Sequence, residues 1–206
     1  MSGLADAVLY FVSPGGFDSE ALAGVIDAGV DVVQLRMKDA EAAGVLREGE
    51  RFKNVCAASA TPFVVNDRPD VALALEAGGV HLGQDDLPPP VARAIIGPSA
   101  LIGRSTHSQD DIERALREHA AGVCDYVAVG PVHETPTKLG RPAVGHDLIR
   151  YAAERVPFPW FAIGGIDASN VADVLDAGAA RIVVVRAIAE ASDPIAATKE
   201  LVARLS

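Results

Sequence analysis

The chain has 206 residues, of which 50% are hydrophobic and 5% aromatic, and this composition suffices for one folded core. Its 28 acidic residues outnumber 18 Lys and Arg, and the formal charge of -10 opposes nonspecific attraction to nucleic acid or anionic membranes. The apolar runs are far shorter than the roughly 20 residues of a membrane span, and the N-terminus lacks the features of a secretory signal. We therefore expect one cytoplasmic domain over 1–206 with small-molecule partners, and the composition leaves open whether it forms a homo-oligomer.

Strand and helix patterns alternate along the whole chain. Eight apolar segments are predicted to be strands, at 7–12, 30–35, 62–65, 79–83, 100–103, 126–130, 160–163 and 181–185. Eight segments with helical periodicity follow them, at 18–28, 40–59, 69–77, 89–96, 109–121, 146–155, 169–177 and 194–205. Strict alternation indicates a parallel sheet, and eight such units are what a (β/α)8 barrel of the TIM type requires. An open, doubly wound α/β sheet is the alternative architecture.

The second predicted strand continues into alternating polar residues. Strand periodicity puts Gln34, Arg36 and Lys38 on one face and Leu35 and Met37 on the other. If the apolar pair packs against helices, the three polar side chains point into the mouth of the barrel. Two cations there would be costly without an anion, so this strand end predicts an anionic ligand. A salt bridge to a nearby aspartate is the alternative.

The third and fourth predicted strands each end at carboxylates. Asn66 and Asp67 follow the third strand, and Asp85 and Asp86 follow the fourth. Neighbouring parallel strands lie about 4.8 Å apart, so Asp67 and one of the later pair are expected side by side. Two carboxylates, with a substrate phosphate and waters, are typical of a Mg²⁺ site. Helix capping is the alternative, because each acid precedes a predicted helix.

The remaining strand ends carry groups that suit anions. These are Ser105 after the fifth strand, Thr135, Pro136, Thr137 and Lys138 in the irregular segment 131–145, Gly165 after the seventh strand, and Val185 and Arg186 at the eighth. The loops after strands seven and eight form a recurrent phosphate site in such barrels, and glycine lets backbone amides approach an anion. The alternatives are capping by Ser105 and an ordinary surface loop at 131–145. Two anion regions on one edge favour an enzyme that joins two anionic ligands.

His81 lies within the fourth predicted strand and is interpreted as a hydrogen-bonded core residue. Cys56 and Cys124 have no metal-binding spacing and are interpreted as reduced packing residues. No serine, cysteine and histidine arrangement requires nucleophilic catalysis. The predicted site therefore depends on binding and electrostatics.

Five segments resemble the thiamine phosphate synthase family. They are VVQLRMKD at 32–39, NDRPDVALALEAGGVHLGQDDLP at 66–88, IGRSTH at 102–107, DYVAVGPVHETPTK at 125–138 and WFAIGGI at 160–166. The resemblance implies a (β/α)8 enzyme that joins hydroxymethylpyrimidine diphosphate to hydroxyethylthiazole phosphate and releases diphosphate, with Mg²⁺ as cofactor. It also implies a dissociative route, in which diphosphate leaves before the thiazole nitrogen attacks a pyrimidine carbocation.

The resemblance also implies a role for each matching residue. The pyrimidine diphosphate would be held by Gln34, Arg36, Lys38, Asn66, Ser105 and Lys138, and Leu35 and Met37 are counted with them as substrate-binding residues. The metal would be held by Asp67 and Asp86. The thiazole phosphate would meet Thr135, Pro136, Thr137, Gly165, Val185 and Arg186. Arg36, Lys38, Ser105 and Lys138 would act in catalysis by stabilising the leaving group.

Two positions depart from the family pattern. Met37 stands where the family often has an acidic residue, and Arg186 stands where many members have serine. A thiazole tautomerase-like barrel and a non-catalytic phosphate-binding barrel are the alternative functions. The acids and cations on strands two to four favour the synthase, since a tautomerase has no evident use for a diphosphate and metal site. The sequence offers no partner surface that would support a non-catalytic barrel.

Overall fold

The computed structural model describes residues 4–134 and 143–205, which contain a closed barrel of eight parallel strands. The strands are β1 Leu9–Ser13, β2 Val32–Leu35, β3 Phe63–Asn66, β4 Gly79–Leu82, β5 Leu101–Thr106, β6 Tyr126–Val129, β7 Trp160–Ile163 and β8 Ile182–Val184. Each pairs with the next, and β8 pairs with β1 through Tyr10 and Val183. The predicted (β/α)8 barrel is confirmed, and the open sheet is wrong.

Helices follow the strands around the outside of the barrel. They are α1 Ser19–Asp27, α2 Ala42–Ala58, α3 Pro69–Ala74, α4 Pro89–Ile96, α5 Gln109–Ala120, α6 Gly145–Arg155, α7 Val171–Asp176, α8 Arg186–Ala189 and α9 Pro194–Leu205. Side chains cap α1, α5 and α9 at their first turns: Asp18 Oδ1 accepts from Glu20 N at 2.8 Å, Ser108 Oγ from Asp111 N at 3.1 Å and Asp193 Oδ1 from Ala196 N at 2.9 Å. The prediction missed α8, since one short turn is too brief to show a helical period. Within the two described ranges, no helix is both long and apolar enough to cross a membrane.

Strand β5 runs three residues further than predicted. The apolar pattern stops at Gly103, whereas the ladder to β6 continues through Thr106. Polar side chains are tolerated there because each has a partner: Arg104 pairs with Glu118 at 3.3 Å, and Thr106 Oγ1 donates to the Ala128 carbonyl at 3.3 Å. The extension puts Ser105 inside the strand.

Alternate residues of the strands build two separate cores. One set fills the barrel interior, including Tyr10, Tyr126 and Phe161, and the other, including Leu35, packs outward against helix residues such as Phe52 of α2. A side chain reaches the mouth of the barrel only from the inward set. Strand parity therefore decides which residues can meet a ligand.

One interior position has no room for a side chain. A Cβ at Gly103 would lie 2.5 Å from His81 Nδ1 and closer still to the Tyr126 ring. Real Cβ atoms do not approach other atoms so closely. Glycine at this position is what allows the tyrosine and the histidine to meet across the barrel.

Candidate active site

Strand β2 brings its alternating polar residues to the rim, meaning the edge of the barrel where the strands end. Gln34 is 3% exposed and donates from Nε2 to the Tyr10 hydroxyl at 2.7 Å, while Arg36 is half-buried and Lys38 is exposed. Within the described residues neither cation has a carboxylate within 4.0 Å. The alternative of an internal salt bridge is therefore wrong for this part of the chain, and both charges are available to a ligand.

The side chains of Leu35 and Met37 do not face the rim. Leu35 is fully buried between strand and helices, and Met37 packs against the same outer core. Their outward direction is the one that strand alternation predicts, because the alternation that turns Arg36 inward turns its neighbours outward. The place of Leu35 and Met37 among the substrate-binding residues stays a prediction.

Asp67 and Asp86, here called the acid pair, follow neighbouring strands β3 and β4. Asp67 N donates to the His81 carbonyl at 2.8 Å, and Asp86 Oδ2 accepts from Gly83 N at 2.6 Å. The helix-capping alternative is wrong, since Arg68 and Pro88 occupy the cap positions of α3 and α4 and no side chain caps either helix. Asp67 also has φ of 62°, a left-handed conformation that is uncommon outside glycine.

The electrostatics of the acid pair favour a positive charge, either a shared proton or a bound cation, between the two carboxylates. Burial, the hydrogen bond to Asp86 and the charge of Asp86 raise the pKa of Asp67 to about 6, against the lowering effect of Lys38 and Arg36. Two carboxylates this close cannot both ionise at low cost unless a positive charge joins them. Hard oxygen ligands in this number fit Mg²⁺, and the described residues hold no cluster of three or more His, Cys, Asp or Glu ligands. Asp85 is exposed, so Asp86 is the acid that faces Asp67.

Arg104 braces the loop that carries Asp86, a role that the sequence did not reveal. Its guanidinium donates to the Gly83 carbonyl at 2.5 Å and pairs with Glu118 of α5 at 3.3 Å. Gln84 Nε2 adds a hydrogen bond of 2.5 Å to the Ser105 carbonyl. The available signal was a charged residue on the helix-facing side of a buried strand, which requires a buried partner.

Ser105 and Asn66 lie beside the acid pair. Asn66 ends β3 opposite His81, and Ser105, 6% exposed, has its Oγ 3.0 Å from His81 Nε2. The capping alternative for Ser105 is wrong, since Ser108 caps α5. His81 is 7% exposed with both ring nitrogens in hydrogen bonds, which confirms the interpretation as a core residue.

A cavity of about 350 Å³ lies at the ends of β6, β7 and β8. Gly165, Val185 and Arg186 line it, as predicted from their strand ends, together with His107 and Glu190, which the prediction missed. Gly165 has φ of 64°, and no described residue accepts a hydrogen bond from its N–H. The cavity therefore offers a backbone donor and a guanidinium to an anion.

A second hollow of about 240 Å³ shares three lining residues with this cavity. Arg36 lines it together with Val185, Arg186 and Glu190, across the end of β1. Arg36, just after β2, and Arg186, which begins α8, thus line the same hollow. The predicted residues Thr135, Pro136, Thr137 and Lys138 lie outside the described residues, and their roles stay predictions.

One family model and several known proteins are similar to this chain over most of its length. The thiamine monophosphate synthase family model matches residues 9–188. A thiamine-phosphate synthase of Acidothermus cellulolyticus is 48% identical over 210 residues, covering 100% of this chain and 98% of that protein. One of Thermus thermophilus is 54% identical over 186 residues, covering 90% and 85%. The solved thiamine phosphate pyrophosphorylase of Pyrococcus furiosus aligns with a TM-score of 0.84 at 32% identity, over 96% of this chain and 95% of that one.

Proposed function

Because the chain belongs to the thiamine monophosphate synthase family, we propose that it joins an aminopyrimidine diphosphate to the ring nitrogen of a thiazole phosphate. The substrates would be 4-amino-2-methyl-5-(diphosphooxymethyl)pyrimidine and 4-methyl-5-(2-phosphooxyethyl)thiazole or its carboxylated precursor, and the products thiamine phosphate and diphosphate. The observation that most supports this is the acid pair beside two cations that have no described ion-pair partner. A leaving diphosphate needs such a combination, whereas a tautomerase does not.

The diphosphate would lie against the end of β2 and the acid pair. Arg36 and Lys38 would bind its oxygens, with Asn66 and Ser105 on the far side and Lys138 contributing from beyond the described residues. Asp67 and Asp86 would hold Mg²⁺, which when bound neutralises charge on a leaving phosphate group. Arg36 and Lys38 stabilise the same charge as it grows, because fixed cations at a half-buried rim interact more strongly than in water.

The pyrimidine would enter the barrel mouth above Gln34. A dissociative route, in which the bond to diphosphate breaks first, demands little proton transfer from the protein, because the thiazole ring nitrogen that attacks is already neutral. The walls of the mouth would hold the pyrimidine carbocation and the attacking thiazole nitrogen within reacting distance. They would also limit the access of water. The residues thus act by positioning and by charge.

The thiazole phosphate would occupy the cavity at β7 and β8. The Gly165 N–H, the first turn of α8 after Val185 and the Arg186 guanidinium would bind it, with Thr135, Pro136 and Thr137 from the adjoining segment. The hollow shared by Arg36 and Arg186 supports adjacent binding of the two ligands. Adjacent binding is what a condensation requires.

Condensation can be tested directly. Both substrates with Mg²⁺ should yield thiamine phosphate and an equal amount of diphosphate, and chelation of the metal should stop the reaction. Chromatography of the product and a diphosphate assay measure both. Absence of product would remove the proposal, and isomerisation of the thiazole phosphate alone would favour a tautomerase.

Substituting Gly165 by alanine should weaken thiazole phosphate binding. Its φ of 64° costs a non-glycine residue about 1–2 kcal/mol, and the new Cβ would lie 2.8 Å from His133 Cβ. We expect KM for the thiazole phosphate to rise about tenfold, with KM for the pyrimidine diphosphate unchanged, in steady-state assays varying one substrate at a time.

Gly122→Ala is the matched control. Gly122 has φ of 72° with no atom within 4 Å of the new Cβ, and it follows α5 at the opposite end of the barrel. The backbone cost is similar, but neither KM should change. Equal effects of the two variants would show that the Gly165 result reflects stability and not the phosphate site.

A further inference from the structure

Five polar side chains form one continuous chain of hydrogen bonds through the barrel interior, here called the interior chain. Gln34 Nε2 lies 2.7 Å from the Tyr10 hydroxyl, which lies 2.9 Å from the Tyr126 hydroxyl. The Tyr126 hydroxyl lies 3.2 Å from His81 Nδ1, and His81 Nε2 lies 3.0 Å from Ser105 Oγ. All five are buried. The interior chain thus crosses the barrel from β2 to β5 beneath the rim.

Its two ends are residues of the proposed diphosphate and pyrimidine site, whereas its three middle members have no assigned role. Phe161 stands edge-on to both tyrosine rings, with centroids at 5.5 Å from Tyr10 and 6.0 Å from Tyr126. Gly103 leaves the space in which Tyr126 and His81 meet. The packing therefore holds the middle of the interior chain in place.

Such a chain has two arrangements of its hydrogens, because hydroxyls, a neutral imidazole and an amide can each donate and accept. In the first arrangement Gln34 donates to Tyr10, Tyr10 to Tyr126, Tyr126 to His81 Nδ1, and His81 Nε2–H to Ser105. The Ser105 hydrogen is then free to point at the rim. In the second arrangement every bond is reversed, the Gln34 amide is turned over, and Ser105 donates inward to His81.

A diphosphate oxygen can only accept hydrogen bonds, so it distinguishes the two arrangements. In the first, Ser105 offers it a donor; in the second, Ser105 presents only lone pairs to an anion. We propose that the interior chain runs from Gln34 to Ser105, fixing His81 as the neutral Nε2–H tautomer and presenting the Ser105 hydroxyl hydrogen to the diphosphate. This rests on the proposed function, and it makes Tyr10, Tyr126 and His81 positioning residues.

Both tyrosine hydroxyls stay protonated, as they must if each is to donate a hydrogen bond to the next member of the interior chain. Burial raises the pKa of Tyr10 well above its usual range, against the lowering effect of its hydrogen bonds to Tyr126 and Gln34. Burial likewise raises the pKa of Tyr126, and the neighbouring Tyr10 adds to the effect. Neither hydroxyl ionises near neutral pH, so each can donate one hydrogen and accept another.

The tautomer can be measured directly in the wild-type chain. The ¹⁵N chemical shifts of the ring nitrogens in histidine-labelled protein separate a protonated from an unprotonated nitrogen, and the signals absent from His81→Gln identify His81. We expect Nε2 to be protonated and Nδ1 unprotonated, both in the free protein and with Mg²⁺ and inorganic diphosphate. A proton on Nδ1 in either state would overturn the proposal. Because this readout needs no turnover, it stands even if the condensation assay fails.

A pair of hydroxyl deletions tests the consequence for binding. Without the Tyr126 hydroxyl, His81 Nδ1 loses its donor, and the imidazole can take the other tautomer and draw the Ser105 hydrogen inward. A hydrogen bond to a charged group is involved, so Tyr126→Phe should raise the dissociation constant of Mg²⁺-diphosphate about tenfold by calorimetry. Tyr10→Phe is the matched control, since Tyr126 can still donate to His81, and it should raise that constant less than about threefold.

A double variant that also carries Ser105→Ala distinguishes an effect of hydrogen-bond direction in the interior chain from a general loss of structure. In that background Tyr126→Phe should have no further effect on diphosphate affinity, because the group it orients is gone. Equal losses from the two tyrosine variants, or the full tenfold loss in the Ser105→Ala background, would overturn the proposal. Failure of the wild-type chain to bind diphosphate would instead count against the proposed function, while the histidine spectrum would still decide the direction of the interior chain.

Discussion

Replacing Asp86 by alanine is expected to lower kcat/KM by about 10³-fold, since a metal ion at a leaving phosphate supplies several kcal/mol of transition-state stabilisation. Asp86 faces the buried carboxyl of Asp67, and loss of either acid leaves a single carboxylate to bind the cation. The Mg²⁺ concentration needed for half-maximal rate should rise together with the loss in rate. Steady-state assays over a series of Mg²⁺ concentrations measure both.

Two further variants make this result specific. Asp85→Ala removes an exposed acid one residue away and should change kcat/KM less than about threefold. Asp86→Asn retains an oxygen that can accept from Gly83 N, so the loop keeps its hydrogen bond while the charge is lost. It should lose nearly as much activity as the alanine variant. Equal effects of Asp85→Ala and Asp86→Ala would show that the wrong acid has been assigned to the metal.

Gly103→Ala is expected to destabilise the fold by about 3 kcal/mol, the upper end of what overpacking a core usually costs. The new Cβ would collide with Tyr126 and lie 2.5 Å from His81 Nδ1, so both rings would have to move and their hydrogen bond would be lost. For a chain of this size the melting temperature should fall by roughly 6–12 °C. Urea unfolding followed by circular dichroism gives the free energy of unfolding.

Gly44→Ala provides the matching control for the same chemical change. Gly44 lies in α2, where a Cβ would meet its nearest neighbour, Ala40 Cβ, at 3.9 Å. Alanine favours a helix by up to about 1 kcal/mol over glycine, so this variant should be slightly more stable than the wild type. A small effect of Gly103→Ala would mean that the barrel interior can expand, contrary to the packing described above.

Most of the architecture follows from local patterns. Short apolar runs alternating with helical periods predict eight βα units, and these close into a barrel as expected. The misses have local causes too. The four residues of α8 are too few to show a helical period. The end of β5 carries Arg104, and a charged residue is accepted in this buried strand because it pairs with Glu118 of α5. Long-range pairing of this kind is not visible in a local pattern.

The parts of the candidate site that could be predicted are those set by the alternation of side chains along a strand and by the order of the strands. Parity gave the inward direction of Arg36, and the order of neighbouring parallel strands gave the meeting of Asp67 with Asp85 or Asp86. Strand order alone did not choose between those two acids; the family resemblance named Asp86, and the fold shows its side chain turned back to Gly83 N. The interior chain was not foreseen, because Tyr10 and Tyr126 look like ordinary apolar strand residues until the barrel closes.

The left-handed backbone of Asp67 has a practical consequence for capturing the enzyme with its substrates. Asparagine tolerates that conformation about as well as aspartate, so exchanging the carboxylate for an amide leaves the main chain between β3 and α3 on its path. Under the proposed function, Asp67→Asn would keep the shape of the site while weakening the metal binding that assists cleavage of the bond to diphosphate. It is the natural choice for crystals in which the two unreacted ligands lie together.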